Sequence, residues 1–349
     1  MKHLWRLLPF SFILLLAGCG VENLSALDPQ GPVADMQLSL IQLSLYIMIL
    51  VIVVVFAVYL FVLIKFRERP GDTHIPKQVH GNRTLEFIWT TIPILLLLML
   101  AVPNVMDTFT LAETSIPEAD EDGVEPVPGE DYVTIRATAH QFWWEFEYPE
   151  LEINAGQEMY IPTDTRIIVE LEASDVIHSF WIPALVGKQD NVPGITNDLW
   201  FEAPEEGVFF GKCTEICGPS HWLMDFKVIA VDQSTFTTWA DTMAAPPAEF
   251  TEPQGEVAVE GRQIFEANCI ACHAIGDEGG AVGPNFTNYA DREVVAGFLE
   301  HTDENLREWI RDPQSLKPGN EMPAFDESTL SEEELDSLIE YIDTLQILE

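Results

Sequence analysis

From Leu45 to Ile64 the chain carries 20 consecutive residues without one charged or strongly polar side chain. As a helix at ~1.5 Å per residue this run is ~30 Å long, the thickness of a bilayer's hydrocarbon core. A second apolar stretch follows from about Leu85 to Met106, interrupted by Pro93 and Pro103. Either alone could be a buried core helix, but two side by side predict a membrane-spanning pair. The intervening segment, Lys65 to Thr84, holds Lys65, Arg67, Arg69, Lys77 and Arg83 against two acids, whereas 20–36 and 107–131 hold no Lys or Arg. Because basic loops stay on the cytoplasmic side, the loop is expected inside and both flanks outside.

Residues 1–19 combine Lys2 and Arg6 with an apolar core from Leu7 to Leu16, the pattern of an export signal. Leu16-Ala17-Gly18-Cys19 looks like the lipobox of bacterial lipoproteins and predicts lipidation at Cys19; an ordinary signal peptide with a chance cysteine is the alternative. A hairpin is expected over 37–106, with helices at about 39–65 and 85–106. Glu86 sits at the cytoplasmic entry of the second helix, where an interfacial carboxylate in water is the plain reading and a proton-path group the functional one.

Charge is segregated from this apolar third. From Asp107 onward there are 10 basic and 51 acidic residues, a net of −41. That excludes a nucleic-acid binder, which needs clustered Lys and Arg. The acids recur in every exported segment, which favours a surface acidic throughout over a single docking patch. Residues 107–130 are acidic and Pro-rich and read as a linker. Over 131–240, short alternating runs such as VTIRATA, FWWEFEY and RIIVELEA, punctuated by Gly, Pro, Asn and Asp, predict a β-sandwich or barrel. Residues 241–256 read as a second linker. Over 257–349 helical spacing returns, with a Ser331/Glu334 capping box ahead of Leu335, Leu338, Ile339 and Ile342.

The remaining cysteines form two spaced pairs. Cys269-Ile270-Ala271-Cys272-His273 is the C-x-x-C-H of covalent c-type haem attachment: two thiols add to the vinyl groups, and the His supplies an axial nitrogen. The one Met after His273 is Met322, 49 residues on; His301 is the other candidate for the sixth ligand. His/Met ligation raises the haem potential and suits electron transfer. This region resembles a small class I cytochrome c domain.

The second pair lies in Cys213-Thr214-Glu215-Ile216-Cys217-Gly218-Pro219-Ser220-His221-Trp222-Leu223-Met224. Thiolates with imidazole and thioether suit copper over zinc or a hard cation. Two thiolates can bridge two coppers; a loop disulfide is the alternative and leaves His221 and Met224 without a role. A second imidazole is needed, from His140 or His178.

With these motifs the chain resembles subunit II of the haem–copper oxidases (cytochrome c oxidases), in the bacterial variety with a cytochrome c domain fused at the C-terminus. The resemblance implies a multidomain membrane protein: a two-helix transmembrane hairpin, a cupredoxin-like β-barrel or sandwich, then an all-α class I cytochrome c domain. By resemblance Cys213 and Cys217 bridge the dinuclear copper centre, CuA. His178 and Met224 complete one copper, and His221 with the main-chain carbonyl of Glu215 the other. The Glu215 carboxylate would reach a magnesium ion shared with subunit I, and Glu86 would stand at the mouth of a proton channel. The family's aromatic run has Trp directly after Gln as the entry point from soluble cytochrome c. Here that position is Phe142 and Trp143 follows, so Trp143 is the electron-transfer candidate and delivery from the tethered haem is expected. The Asp190 loop, a docking acid in the family, is then expected to face the chain's own haem domain.

The implied role is electron entry to a terminal oxidase in the bacterial plasma membrane, multi-pass, with both soluble domains on the outer face. Electrons pass from an external donor to haem c, to CuA and to subunit I, where oxygen is reduced to water with proton translocation. The expected partners are subunit I, subunit III and the donor. Eight scattered His leave no place for the oxygen site in this chain. A nitrous oxide reductase would add a His-rich copper domain, a quinol oxidase subunit would lack the copper ligands, and a free-standing membrane-tethered electron carrier is the non-enzyme alternative.

Overall fold

The computed structural model describes residues 23–67, 70, 71, 75, 77, 78, 80–117 and 125–348. The export signal with Cys19 lies outside them. The chain divides into two units, Asp35–Glu113 and the remainder.

The first unit is a pair of helices, α1 (Pro32–Lys65) and α2 (Arg83–Leu111). Both are long and apolar enough to cross a membrane. Most of their apolar side chains are exposed, Leu45 by 53%, Phe56 by 59% and Leu98 by 53%, as in a helix whose solvent is hydrocarbon. Each helix outruns the apolar stretch that marked it. α1 starts at Pro32 rather than near 39, because Pro at the first helical position and Asp35 in the first turn favour initiation there. α2 starts at Arg83, where the Asn82 side chain accepts from the amides of Thr84 and Leu85 at 3.0 and 3.2 Å. It continues to Leu111, so 107–111 are helical and not linker. Apolarity reports only the part that meets lipid, whereas backbone hydrogen bonding carries a helix on into water.

The second unit contains a β-sandwich. Ten strands run in order: β1 (Tyr132–His140), β2 (Trp143–Tyr148), β3 (Ile153–Gly156), β4 (Glu158–Pro162), β5 (Arg166–Ala173), β6 (His178–Ile182), β7 (Val186–Asn191), β8 (Asn197–Phe201), β9 (Gly207–Cys213) and β10 (Asp225–Val231). They form two five-stranded sheets, β3-β2-β1-β5-β8 and β4-β10-β9-β6-β7. β1 pairs with β5, and β10 with β4, in parallel. Period-two alternation explains the faces: in β2, Trp144, Phe146 and Tyr148 are fully buried while the residues between them are half-buried. Trp144, Phe180 and Phe226 form the centre of the core, with ring centroids 4.7 to 5.7 Å apart.

Helix α3 (Gln233–Ala244) closes the sandwich. Asp232 caps it, accepting from the amides of Ser234 and Thr235. Trp239 on this helix is fully buried, stacked on Tyr160 at 4.8 Å and edge-on to Tyr148 at 5.2 Å. Trp239→Ala is expected to destabilise the folded chain by ~3–5 kcal/mol, because it removes a large buried ring and leaves a cavity. A lowered midpoint in thermal unfolding checks this.

The segment expected as a second linker is packed instead. α3 runs through Ala244, and a short α4 (Ala248–Thr251) buries Phe250, whose carbonyl accepts from the Tyr341 hydroxyl at 2.6 Å. The apolar ring of Phe250 finds a core that a Pro- and Glu-rich composition conceals. The last region holds α5 (Glu256–Asn268), α6 (Asp303–Arg311), α7 (Pro313–Leu316) and α8 (Glu332–Ile342), with two-residue ribbons β11–β12 (274–275, 278–279) and β13–β14 (294–295, 299–300). α8 starts at the Ser331/Glu334 capping box. Its Leu335, Leu338, Tyr341 and Ile342 pack with Phe265 of α5 into a separate apolar core.

Candidate redox centres

The thiol pair lies where β9 ends and a loop returns to β10. Cys213 and Cys217 are buried, with sulfurs 3.9 Å apart. That separation is far beyond a disulfide bond of ~2.05 Å, so both thiols are free. His178, the first residue of β6, presents Nδ1 at 3.8 Å from Cys213 Sγ, and His221 presents Nδ1 at 3.5 Å from Cys217 Sγ. The Met224 sulfur lies 3.9 Å from Cys217 Sγ, and the Glu215 carbonyl oxygen 3.4 Å from Cys213 Sγ. The Glu215 side chain is exposed. Six donors that are scattered over 47 sequence positions are thus gathered around two sulfurs.

Two neighbours orient this set. Asp175 Oδ1 lies 2.8 Å from His178 Nε2. A carboxylate only accepts, so Nε2 carries the proton and the Nδ1 lone pair faces the thiols. The Gln141 side-chain amide donates to the Cys217 carbonyl. The hydrogen bond from Cys217, with help from His178, lowers the Cys213 pKa and favours a thiolate there. Burial opposes a charge on His178, but Cys213 and Asp175 outweigh it and raise its pKa. Two thiols with imidazole and thioether donors around them are a soft set that fits copper and not a hard cation. His140 is not among them: Glu145 at 3.0 Å and Ser174 at 2.9 Å occupy its ring nitrogens.

The second candidate centre is a cavity of about 330 Å³. Cys269, Cys272, His273 and Met322 line it together with apolar side chains such as Phe265, Trp309 and Leu338. His273 Nδ1 lies 2.8 Å from the Pro284 carbonyl, which also only accepts, so the Nε2 lone pair is free for a metal. Burial lowers the His273 pKa and keeps the ring neutral, as a ligand must be. A β-carbon at Gly283 would lie 2.6 Å from His273 Cε1, so glycine there leaves room for the ring. Burial pushes the Cys269 thiol up to about 12. A neutral Cys269 sulfur at an apolar cavity fits a thioether bond to a porphyrin better than a metal held by thiolates. His301 does not line the cavity; its Nδ1 faces the Arg292 carbonyl.

The two sites adjoin. Ser220, fully buried and next to His221, donates to the Pro318 carbonyl at 2.7 Å, four residues before Met322. Phe142 is 2% exposed: a β-carbon at Gly218 would stand 2.9 Å from its ring, and one at Gly319 3.3 Å. Trp143 stacks on His140 at 4.3 Å and lines the cavity. Asp190 pairs with Lys188 at 3.6 Å. Glu86 occupies the first turn of α2. Sequence reasoning missed Asp175, Gln141 and Ser220. Only Asp175, three residues before His178, left a local signal; the other two act through contacts across the fold.

Comparison with known proteins accords with both sites. Residues 23–106 match the cytochrome c oxidase subunit II transmembrane domain, 151–231 its periplasmic domain, and 258–346 cytochrome c. Cytochrome c oxidase subunit 2 of Alkalihalophilus pseudofirmus is 53% identical over 347 residues, 99% of this chain and 98% of that one. The same subunit of Bacillus subtilis is 42% identical over 99% of this chain and 98% of its own. Quinol oxidase subunit 2 of Bacillus spizizenii is 34% identical, over 68% of this chain and 72% of its own. With a β-sandwich carrying paired thiols, a cavity behind a C-x-x-C-H segment, two membrane-length helices, and relatives that match from end to end, the chain belongs to the cytochrome c oxidase subunit II family, in the form that carries a cytochrome c domain.

Proposed function

We propose that this chain is the electron-entry subunit of a terminal respiratory oxidase in a bacterial plasma membrane, with both soluble domains on the outer face. When bound, the haem and the copper pair supply one-electron redox chemistry between an external donor and subunit I, where oxygen is reduced to water with proton translocation. Cys269 and Cys272 would attach the haem, and His273 and Met322 would supply nitrogen and sulfur to its iron. Cys213, Cys217, His178, His221, Met224 and the Glu215 carbonyl would hold the copper pair.

The observation that carries this reading is the docking of the two ligand loops through Ser220 and Pro318. It makes electron delivery a step within one chain. Phe142, wedged between those loops, excludes water from the crossing, and Trp143 stands beside it at the cavity wall. The exposed Glu215 carboxylate is the group offered to a magnesium ion shared with subunit I, and Glu86 to a proton channel there. Subunit III completes the assembly, and Cys19 is the lipidation site.

Metal and haem analysis of the complex purified from membranes tests the reading. The expected result is covalent haem, copper at two per chain, and electron paramagnetic resonance with hyperfine coupling to two equivalent coppers. A single-copper pattern or zinc alone would overturn the copper assignment. Purification without a many-helix haem protein would overturn the oxidase role in favour of a free-standing carrier.

A further inference from the structure

The haem cavity has a polar edge that neither attachment nor axial ligation uses. The cytochrome region, 257–349, has five basic residues: Arg262, Arg292, Arg307, Arg311 and Lys317. Arg262, Arg307 and Arg311 each pair with carboxylates at the surface. Among the described residues Arg292 and Lys317 form no ion pair, are 4% and 3% exposed, and both line the cavity. Burying an unpaired cation is costly, so two of them at one wall call for an anion.

Their hydrogen bonds leave donors over. Arg292 gives Nη2 to the Asn285 carbonyl and, at 3.1 Å, to Asn288 Oδ1, but its buried Nε has no partner. Lys317 Nζ gives one proton to the Ala296 carbonyl at 2.8 Å. The third group comes from the β-sandwich. Gln157, between β3 and β4, is 5% exposed and lines the same cavity. Its Oε1 accepts from the Trp144 amide at 2.9 Å, which identifies the other atom as Nε2. That Nε2 is buried without a partner and lies so near Gly297 that a β-carbon there would collide with it. The neighbouring Glu158 is buried outside the cavity lining; its carboxylate offsets part of the cost of burying Arg292 without coming to ion-pair distance, and it does nothing for Lys317.

We infer that the carboxylates of the haem are bound jointly by two domains, by Arg292 and Lys317 of the cytochrome region and by the side-chain amide of Gln157 from the copper-bearing sandwich. This rests on the haem reading above and extends it. The chemistry matches: the covalently attached group brings two carboxylates, and the wall offers two cations and an amide donor in an otherwise strongly acidic chain. Binding across the boundary makes the haem a staple that holds its own domain against the copper domain. Burial pushes Lys317 down to about 7; a haem carboxylate beside it would hold it as the ammonium, and that charge near the haem disfavours the ferric form.

The test uses the full chain in its purified complex, first assayed for covalent haem; no covalent haem in the wild type would sink the haem reading itself. Gln157→Leu removes the donor from the sandwich side, and Lys317→Gln removes the charge from the other domain. Resonance Raman of the haem reports hydrogen bonding to its carboxylates, and potentiometry reports the charge. The expected outcome is a shifted carboxylate bending band in both variants and a lowered haem potential in Lys317→Gln. The copper resonance should be unchanged, and the exposed Lys188→Gln should do neither. An unshifted band in both variants would overturn the proposal. A shift in Lys317→Gln with none in Gln157→Leu would overturn its cross-domain part. If Gln157→Leu does not fold, Gln157→Glu keeps the acceptor for the Trp144 amide and replaces only the donor. An unmoved band there would overturn the cross-domain part equally.

Discussion

Cys217→Ser is expected to abolish the dinuclear copper centre while leaving the haem in place. A bridging ligand must carry a negative charge and present it to both metals. A thiol does so readily, and the geometry here already favours a thiolate at Cys213, toward which Cys217 donates. A serine hydroxyl stays protonated at neutral pH and is a hard donor, so it matches neither the charge nor the softness that copper selects. Copper content should fall below two per chain and the two-copper hyperfine pattern should vanish. Reduction of subunit I through haem c should then collapse, because the docked loops no longer lead to a redox centre. Asp175→Asn provides the scale. It weakens the group that orients His178 and also accepts from the Gln141 and Val176 amides, leaving every copper donor in place, so copper should bind roughly 10–100-fold more weakly with its spectrum retained. If Cys217→Ser kept the two-copper signal, the assignment of the bridge would fail.

Met322→His is expected to keep covalent haem but to lower its potential by roughly 0.2 V, within the ~0.8 V over which axial ligands move haem potentials. A second imidazole stabilises the ferric form more than a thioether does. At ~59 mV per tenfold for one electron, such a fall shifts the equilibrium with the donor by about three decades toward oxidised haem. Donor-driven turnover should then drop while the copper resonance stays. Potentiometric titration with optical detection checks the shift. An unaltered axial spectrum in Met322→Ala would return the role to His301, against its position outside the cavity lining.

Much of this protein was legible along the chain because the physics concerned is local. An uncharged run as long as a bilayer is thick needs no tertiary context to declare a span, and alternation of Trp144, Phe146 and Tyr148 with polar neighbours declares a strand with one dry face. Covalent attachment needs two thiols and a His within five residues, so C-x-x-C-H can be read directly. Five of the six candidate copper donors fall in one stretch of 12 residues, Cys213 to Met224, and can be read in the same way.

What sequence left open was decided by distance between segments remote in the chain. The residues alone offered His140 beside His178, and the resemblance implied His178; the fold places His178 3.8 Å from Cys213 and engages His140 with Glu145 and Ser174. Met322 and His301 were separated in the same way, by which of them faces the cavity. The supposed linker at 241–256 proved packed, because Phe250 is buried by residues some 90 positions away. Burial of Arg292, Lys317 and Gln157 had no sequence signature at all. A cation or an amide looks the same in sequence whether water or a closed cavity surrounds it, and only the packing of two domains removes the water.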